Sequence, residues 1–572
     1  MNTKLSIAVL SASLWMTGCM SGSDRMAPLL DSQRVGSTCA SDLLSDTGFD
    51  TKGTLKIPEL TQIRSIQRTE KALLATGTLT RNAQCIGVVA LDPTTGKPLK
   101  NFGLYGLATV KILDDTGAQA VPNSLVIDPK TGNLFVAGTV NLAIDQQRAF
   151  LVSLEPTGEF RPFTKVSDGR VLLEGSLEGY DKSLIPLSAS ANTLTLLPDQ
   201  GPFVNRIALA GSAESWPSST HKNDDFFVTV LDRDTGLLSH SLGTTRMLEL
   251  CKMDDLTTST ECKPGEPKVY NFGFYQRGQI KNNTITDGKL PKDSNDTATA
   301  MLADGDGGLI LTGFSELYKQ HMVTTTKLDL TYSQSRPDTP KDFCDNYAYP
   351  YKSLACGETI RGRWDPGFAQ TVHLTRWKWS FWNSHIYMDP YWAEATGIAQ
   401  ADQQIRISGS HSITEGYALH EAFFLMAYTY NPPTDLHAIP PKLYSSLDES
   451  FGEKKGITST TFSVDGTVID AFGQALLTQG NKNIIVGYIS NGLNSEMALA
   501  RYTRNGMLDK GFGNLGKLTT GLNHAKAYSG VIGNSGEIFA AGAFFIPIPS
   551  DVTTFTSVGL IQRFDKDGLT TP

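Results

Sequence analysis

The sequence predicts an all-β fold, a seven-bladed β-propeller closed by an N-terminal strand and carrying loop insertions. Two short signatures alternate along the chain seven times each, and the spacing between them is constant in several copies. Glycine is abundant, at 53 of 572 residues, and long helical patterns are few. A small repeating sheet cannot bury its own apolar faces and must cover them against its neighbours, as the blades of a propeller do.

The first signature is a short apolar run that ends in glycine. A run of this length, rich in aliphatic residues and bounded by turn residues, is typical of a buried strand. Another apolar run follows each copy, so every unit offers about four short strands. The seven copies end at Gly77, Gly138, Gly211, Gly313, Gly409, Gly487 and Gly542.

The second signature is a phenylalanine, usually followed by glycine, with another glycine a few residues on. It is clearest in residues 508–517 and 447–452, and weaker around Phe102, Phe163, Phe272 and Phe368. The interval between the two signatures is identical from Gly77 to Phe102, from Gly138 to Phe163 and from Gly487 to Phe512. This regularity is what a stacked supersecondary unit requires.

These residues resemble the delta-60 repeat family, whose unit carries an LDxxFGxxG-like turn. The resemblance covers most of residues 46–572 and is strongest around Phe451 and Phe512. It implies a β-propeller and brings no catalytic residue, because the consensus of the family is structural.

The two ends of the chain predict how the ring closes. The last repeat stops at residues 564–569, before any phenylalanine–glycine signature, and a matching half-unit lies at residues 48–57. Phe49 and Gly53 have the spacing of Phe512 and Gly516. We therefore expect residues 54–57 to form the outer strand of the final blade, which protects the sheet edge.

The N-terminus has the features of an export signal. Lys4 precedes an apolar run, residues 5–16, that is too short to span a bilayer, so residues 1–18 read as a signal peptide. Residues 16–19 resemble the bacterial lipobox, which implies lipidation of Cys19 and, with Met20 after it, an outer-membrane location on the periplasmic or cell-surface side. Residues 19–45 are predicted to be a flexible tether and residues 46–572 the propeller.

Export also explains the cysteines. Of seven, Cys19 is assigned to the lipid, and the other six are an even number in an oxidising compartment. Cys251 with Cys262 and Cys344 with Cys356 are close in sequence and could each staple a loop, which leaves Cys39 with Cys85 by elimination. Tight CxxC spacing with histidine partners is absent, so we expect disulfides and no metal.

Insertions and an aromatic segment mark where recognition could occur. The interval between signatures expands at about residues 239–268, 331–363 and 410–445, and long loops are candidates for recognition or are neutral growth held by a disulfide. Residues 364–392 hold five of the seven tryptophans. Trp377 and Trp379 fit inter-blade packing, whereas surface binding residues are predicted at Trp382, His385, Tyr387, Tyr391 and Trp392.

Three short motifs resemble phosphate-binding, zinc-protease and calcium-binding sequences, but the residues around each do not fit that chemistry. The GxGxxG at 511–516 is followed by a strand pattern rather than the helix that phosphate binding needs. His420-Glu421 lacks a second histidine, and Asp304-Gly305-Asp306 reads as a hairpin turn rather than a calcium loop. The net charge of −8, without a basic patch, argues against nucleic acid. We predict no catalytic residue and no cofactor.

The sequence therefore favours a membrane-anchored, non-catalytic propeller that binds an envelope or surface protein. One alternative is a carbohydrate or cell-wall binder that uses Trp382, Tyr391 and Trp392. Another is a propeller hydrolase or lyase with polar residues at its axis, since sequence alone cannot bring distant carboxylates together.

Overall fold

The structure is a computed structural model, and the residues that it describes lie within Ser37–Pro572. It describes residues 39, 44–45, 47–113, 117–143, 146–166, 169–173, 175–178, 184–199, 203–218, 221–237, 275–276, 295–305, 308–317, 320–329, 363–364, 392–415, 418–430, 445–452, 456–492, 494–548 and 551–570.

These residues form strands and turns, and no α-helix occurs among them. The strands are β1 (Thr54–Ile57), β2 (Leu60–Arg68), β3 (Leu73–Leu79), β4 (Cys85–Leu91), β5 (Leu107–Lys111), β6 (Gln119–Ile127), β7 (Leu134–Ala143), β8 (Gln146–Leu154), β9 (Phe160–Arg161), β10 (Val171–Leu173), β11 (Gly175–Glu178), β12 (Leu184–Leu187), β13 (Ala189–Leu196), β14 (Arg206–Ser218), β15 (His221–Asp232), β16 (Tyr275–Gln276), β17 (Asn295–Ala303), β18 (Gly308–Leu317), β19 (Gln320–Asp329), β20 (Arg363–Trp364), β21 (Ala393–Ala401), β22 (Gln404–Glu415), β23 (Ala418–Tyr430), β24 (Ser445–Leu447), β25 (Ile457–Thr460), β26 (Phe462–Val464), β27 (Thr467–Gln479), β28 (Lys482–Ser490), β29 (Ser495–Tyr502), β30 (Lys517–Thr519), β31 (Ala525–Ile532), β32 (Ile538–Ile548) and β33 (Asp551–Phe564).

The strands form seven antiparallel sheets, each with at least four strands, which confirms the seven predicted blades. A separate two-stranded ribbon, β11–β12, lies between the second and third blades in sequence. In chain order the sheets are blade 1 (β2–β5), blade 2 (β6–β8 with β9 and β10), blade 3 (β13–β16), blade 4 (β17–β20), blade 5 (β21–β25), blade 6 (β26–β30) and blade 7 (β31–β33 with β1).

The innermost strands of the blades form a closed ring. Each contacts the innermost strand of the next blade, in the order β2, β6, β13, β17, β21, β27 and β31, and β31 contacts β2. The buried apolar side chains fall into seven clusters, one at each boundary between neighbouring blades. The hydrophobic core is therefore divided among the interfaces, which is why β3 and β4 are buried on both faces.

The chain closes the ring as predicted. β1 pairs with β33, and Leu55 lies opposite Ile561. Leu55 and Ile57 are 3% and 2% exposed and belong to the cluster between blades 7 and 1. The side chain of Thr54 donates to Oε1 of Gln562 at 2.9 Å. The N-terminal strand thus supplies the outer edge of the sheet that contains the C-terminus.

Cys39 and Leu44, which lie within the predicted tether, residues 19–45, contact the propeller. Cys39 forms a disulfide with Cys85 of blade 1, and its backbone N–H donates to the hydroxyl of Thr109 at 3.2 Å. Leu44 is 7% exposed and packs in the cluster between blades 7 and 1. An apolar side chain gains free energy from this burial, so packing against the propeller begins before residue 46.

Within the third predicted insertion, at about residues 410–445, residues 410–415 and 418–430 belong to β22 and β23. These strands pair along their whole length, which accounts for much of the added sequence. The predicted insertions at 239–268 and 331–363 lie outside the described residues, except for Arg363 in β20. The described neighbours of each are the third and fourth strands of one blade, β15 with β16 and β19 with β20.

Each signature glycine lies on the second strand of its blade, opposite a β-bulge in the innermost strand. A bulge inserts one extra residue and draws the partner backbone close. A Cβ at Gly487 would lie 2.0 Å from the carbonyl oxygen of Phe472, and at the other six glycines the equivalent distance is 1.9–2.1 Å. The glycine therefore recurs because only a residue without a side chain fits.

Each described signature phenylalanine packs on a turn glycine of the next blade. A Cβ at these glycines would lie 2.5–2.9 Å from the phenylalanine side chain, and their φ angles are positive, at 72–88°. Phe272 and Phe368 lie outside the described residues. The five pairs are Phe49 with Gly96, Phe102 with Gly158, Phe163 with Gly236, Phe451 with Gly506, and Phe512 with Gly568.

Candidate functional site

The bulges bring seven equivalent residues onto the innermost strands, around the axis of the ring. In blades 2 to 5 the extra residue is an asparagine or a threonine whose side chain donates to a backbone carbonyl of the following blade. The bonds run from Asn123 to Ala191 at 2.8 Å, from Asn192 to Ala298 at 3.0 Å, from Thr299 to Ala395 at 2.5 Å, and from Thr396 to Gly473 at 2.9 Å. These bonds join neighbouring blades near the axis.

In blades 6, 7 and 1 the equivalent residues are Gln474, Tyr528 and Arg64, and their contacts differ. Nε2 of Gln474 donates to the carbonyl of the preceding residue at 3.2 Å. The Arg64 guanidinium carbon lies 4.7 Å from the centroid of the Tyr528 ring. The repeat is therefore interrupted in three adjacent blades, where larger side chains replace the bonding asparagine or threonine.

Aromatic rings extend from this interruption across blades 5 to 7. Ring centroids are 6.4 Å apart for Trp392 and Phe472, 5.0 Å for Phe472 and Tyr488, and 6.5 Å for Tyr488 and Tyr528. Lys526 places its amine 4.7 Å from the centroid of the Tyr488 ring. We call the group that these contacts define the axial site: Arg64, Trp392, Phe472, Tyr488, Lys526 and Tyr528.

The side chains of the axial site are all half-buried, and their surroundings affect two tyrosines. Burial raises the pKa of Tyr488 to about 12, and the positive charge of Arg64 opposes that rise. Burial likewise raises the pKa of Tyr528, again opposed by Arg64. Both phenols stay protonated at neutral pH and can donate hydrogen bonds to a ligand.

A histidine and a glutamate lie beside the axial site, between blades 4 and 5. Nδ1 of His321 lies 2.5 Å from Oε1 of Glu394, and the His321 ring stacks on Phe314 with centroids 4.7 Å apart. The His321 ring also lies 5.8 Å from Trp392. Glu394 is close enough to Tyr488 to contribute to the raised pKa of that phenol. The acidic and aromatic residues thus form a continuous surface.

Further carboxyl groups meet between blades 5 and 6. The hydroxyl of Ser412 donates to Oε1 of Glu421 at 2.8 Å, and the backbone N–H of Glu421 donates to Oδ1 of Asp470 at 3.1 Å. Burial raises the pKa of Glu421 to about 7, and the charges of Asp470 and Glu394 add to the rise. This carboxyl group can take up or release a proton near neutral pH.

Of the five predicted binding residues, Trp392 belongs to the axial site. Trp382, His385, Tyr387 and Tyr391 lie outside the described residues, as do Cys19, Cys251, Cys262, Cys344 and Cys356. Asp304, the residue weighed as a calcium ligand, is buried at a hairpin turn, and its Oδ2 lies 2.6 Å from the Lys327 amine. Within the described ranges no group of three or more His, Cys, Asp or Glu side chains could hold a metal ion.

The other five members of the axial site were not predicted from the sequence. One signal was available, because five of the seven residues that follow the signature glycines are small: Thr78, Thr139, Ser212, Ser410 and Ala543. Phe314 and Tyr488 break this pattern. A comparison of the repeats with one another would therefore have marked Tyr488.

The strand pairing defines the fold class as a seven-bladed β-propeller, and this assignment does not depend on the comparisons with known proteins. No family model and no curated protein sequence matches the chain. Sqt1 from Chaetomium thermophilum is 11% identical, with 91% of this chain and 99% of that chain covered and a TM-score of 0.32. Drosophila Plexin A in complex with Semaphorin 1b is 8% identical, with 77% and 86% covered and a TM-score of 0.28.

A thermostable family-43 glycoside hydrolase is also similar, at 8% identity, with 68% of this chain and 90% of that chain covered and a TM-score of 0.24. Likenesses this weak carry no inference about activity or partners. In the part of the chain that the structure describes, no helix is long and apolar enough to cross a membrane.

Proposed function

We propose that this protein is a lipid-anchored binding module of the bacterial envelope, and that it recognises a protein partner through the axial site. The observation that carries the proposal is the interruption of the repeat in blades 6, 7 and 1, where Gln474, Tyr528 and Arg64 replace the asparagine or threonine that bonds to the next blade, and where Tyr528 and Arg64 join an aromatic and cationic group. Residues that depart from a structural repeat serve something other than the repeat.

The composition of the axial site supports binding rather than catalysis. Tyrosine, tryptophan and arginine dominate the energetics of protein interfaces, because they combine large apolar area with a polar tip. The Ser412 hydroxyl, a potential nucleophile nearby, already donates to Glu421 and accepts from the backbone N–H of Trp392 at 3.2 Å. Trp392 contacts both His321 and Phe472, which favours packing over stacking on a sugar.

The lipid anchor is proposed from the lipobox-like residues 16–19. Lipidation with more than one chain gives stable membrane attachment. The Cys39–Cys85 disulfide agrees with an oxidising compartment outside the cytosol.

Site-specific photocrosslinking in intact cells tests the proposal. A benzoylphenylalanine at position 528, inside the axial site, should give a discrete adduct with one envelope protein, identified by mass spectrometry. The same partner should co-purify with the tagged protein from membranes, and Cys19→Ser should release the protein from the membrane fraction.

The matched control is a benzoylphenylalanine at Tyr105, an aromatic residue 51% exposed on a signature turn. It should give no such adduct. An adduct at both positions, or at neither, would overturn the axial site as the recognition surface. If the Cys19→Ser variant stayed in the membrane fraction, the lipid anchor would be rejected.

A further inference from the structure

Arg64 carries a positive charge that no described side chain balances. It has no ion pair among the described residues, and its buried Nε has no hydrogen-bond acceptor there. Its guanidinium instead lies over the Tyr528 ring, at 4.7 Å from the centroid. A ring face attracts a cation but neutralises no charge. Arg64 therefore keeps most of its capacity to bind an anion.

Lys526, on β31 of the adjacent blade, is in the same situation. Its amine lies 4.7 Å from the centroid of Tyr488 and 5.5 Å from that of Phe545, and no described carboxylate pairs with it. Burial lowers the pKa of this amine, because the charged form loses hydration. An anion placed against Lys526 would compensate for that loss.

Three buried cations among the described residues pair with carboxylates. The amine of Lys327 lies 2.6 Å from Asp304, and Nε of Arg501 lies 2.7 Å from Asp509. Arg233 bonds to Asp128 at 2.9 Å. The chain has an excess of acidic residues, with a net charge of −8, so carboxylates are not scarce. Arg64 and Lys526 have no carboxylate partner among the described residues and lie in one site, so a single external anionic segment can pair with both.

We propose that the axial site binds an acidic peptide segment, whose carboxylates meet Arg64 and Lys526 while its apolar side chains pack against Phe472, Tyr488 and Tyr528. This inference rests on the proposed function and names the chemistry of the partner. The two cations lie on two different rings that contact each other, which suits carboxylates spaced by apolar residues.

A phosphate polymer fits the site less well than an acidic peptide. Binding to such polymers depends on many basic side chains that follow the backbone. Here two cations are available, Glu394 lies nearby, and the whole chain is acidic. Arginine forms bidentate bonds with a carboxylate, and the aromatic rings offer apolar area beside it.

Fluorescence anisotropy with the full-length protein in detergent tests the inference. The probe is a fluorescein-labelled peptide of alternating glutamate and phenylalanine, compared with a peptide of the same length in which glutamine replaces glutamate. The glutamate peptide should bind at least about tenfold more tightly, a difference of about 1.4 kcal/mol. Arg64→Gln and Lys526→Gln should each weaken its binding about tenfold.

Lys56→Gln is the matched control, because it removes another cation that lies over a ring, 3.5 Å from the centroid of Phe544, outside the axial site. It should leave binding unchanged, and Lys526→Arg, which keeps the charge, should retain it. Unchanged melting temperatures of the variants would show that they fold.

Equal binding of the two peptides, or tighter binding of a single-stranded oligonucleotide, would overturn the acidic-peptide inference. If benzoylphenylalanine at position 528 still crosslinked one envelope protein, the proposed function would stand and only the acidic-peptide inference would be rejected. If that crosslink were absent as well, both the proposed function and the acidic-peptide inference would be rejected.

Discussion

At the scale of single residues, Glu421 shows how the propeller can sense pH. The side chain lies between blades 5 and 6, where the Ser412 hydroxyl holds one of its oxygens. The other oxygen is buried and has no hydrogen-bond partner among the described residues. Burial is the main cause of its raised pKa, about 7, and Asp470 and Glu394 contribute. The folded protein thus holds this proton more tightly than the unfolded chain does.

That preference fixes the sign of a pH dependence. Because the folded-state pKa is raised, the contribution of Glu421 to stability is greatest below its ordinary pKa of 4.5 and is lost as the pH rises through about 7. Glu421→Gln removes this titration, so the variant does not lose that stability. The free energy of unfolding of the variant relative to the original protein should therefore increase as the pH rises from 4.5 to about 7. Urea unfolding across this range measures it, and a difference that does not change with pH would contradict the assignment.

At the scale of elements, each pair of inner strands depends on a signature glycine. Gly487→Ala would place a Cβ 2.0 Å from the carbonyl oxygen of Phe472, a contact that only a backbone shift can relieve. We expect a loss of about 3 kcal/mol or more in the free energy of unfolding, at the upper end of overpacking costs.

Gly511→Ala is the control for this substitution, because its Cβ would meet only an Asp509 oxygen at 3.5 Å, an ordinary contact. Its effect on the unfolding midpoint should be small. Equal destabilisation by the two substitutions would show that the bulge contact is not the reason for the glycine.

The sequence repeat predicts some of the strands but not the bulges opposite them. The strands that contain Gly77 and Gly487 could be predicted, because short apolar runs that end in glycine recur along the chain. The bulge opposite them could not, because a glycine does not indicate which backbone approaches it. The insertion at about residues 410–445 was predicted from the longer interval between Gly409 and Phe451, and an interval cannot show whether the added residues extend a hairpin or form a loop.

At the scale of the whole molecule, closure depends on β1. Leu55→Ser places a hydroxyl in the cluster between blades 7 and 1 and removes apolar area. We expect a loss of about 2–4 kcal/mol, the usual cost of truncating a buried leucine. Lys56→Ser, in the same strand but exposed, should cost less than about 1 kcal/mol. Urea unfolding curves compare the variants, and equal midpoints would mean that β1 does not hold the ring.

The ring and its closure could be predicted from the sequence, because both signatures alternate and the terminal half-units complement each other. The axial site could not, apart from Trp392 and the departure from the repeat at Tyr488. Its residues come from blades 5, 6, 7 and 1, Arg64 lies hundreds of positions before the other five, and only the closed ring brings it beside Tyr528.

The Cys39–Cys85 bond has a mechanical consequence. Force that reaches Cys39 from the preceding chain passes through the disulfide into β4, a central strand of blade 1. β1 follows Cys39 in the chain and is joined to β33 by backbone hydrogen bonds, which are far weaker than a covalent bond. The disulfide therefore shields the seam of the ring from tension, and a reducing environment would transfer that load to the seam.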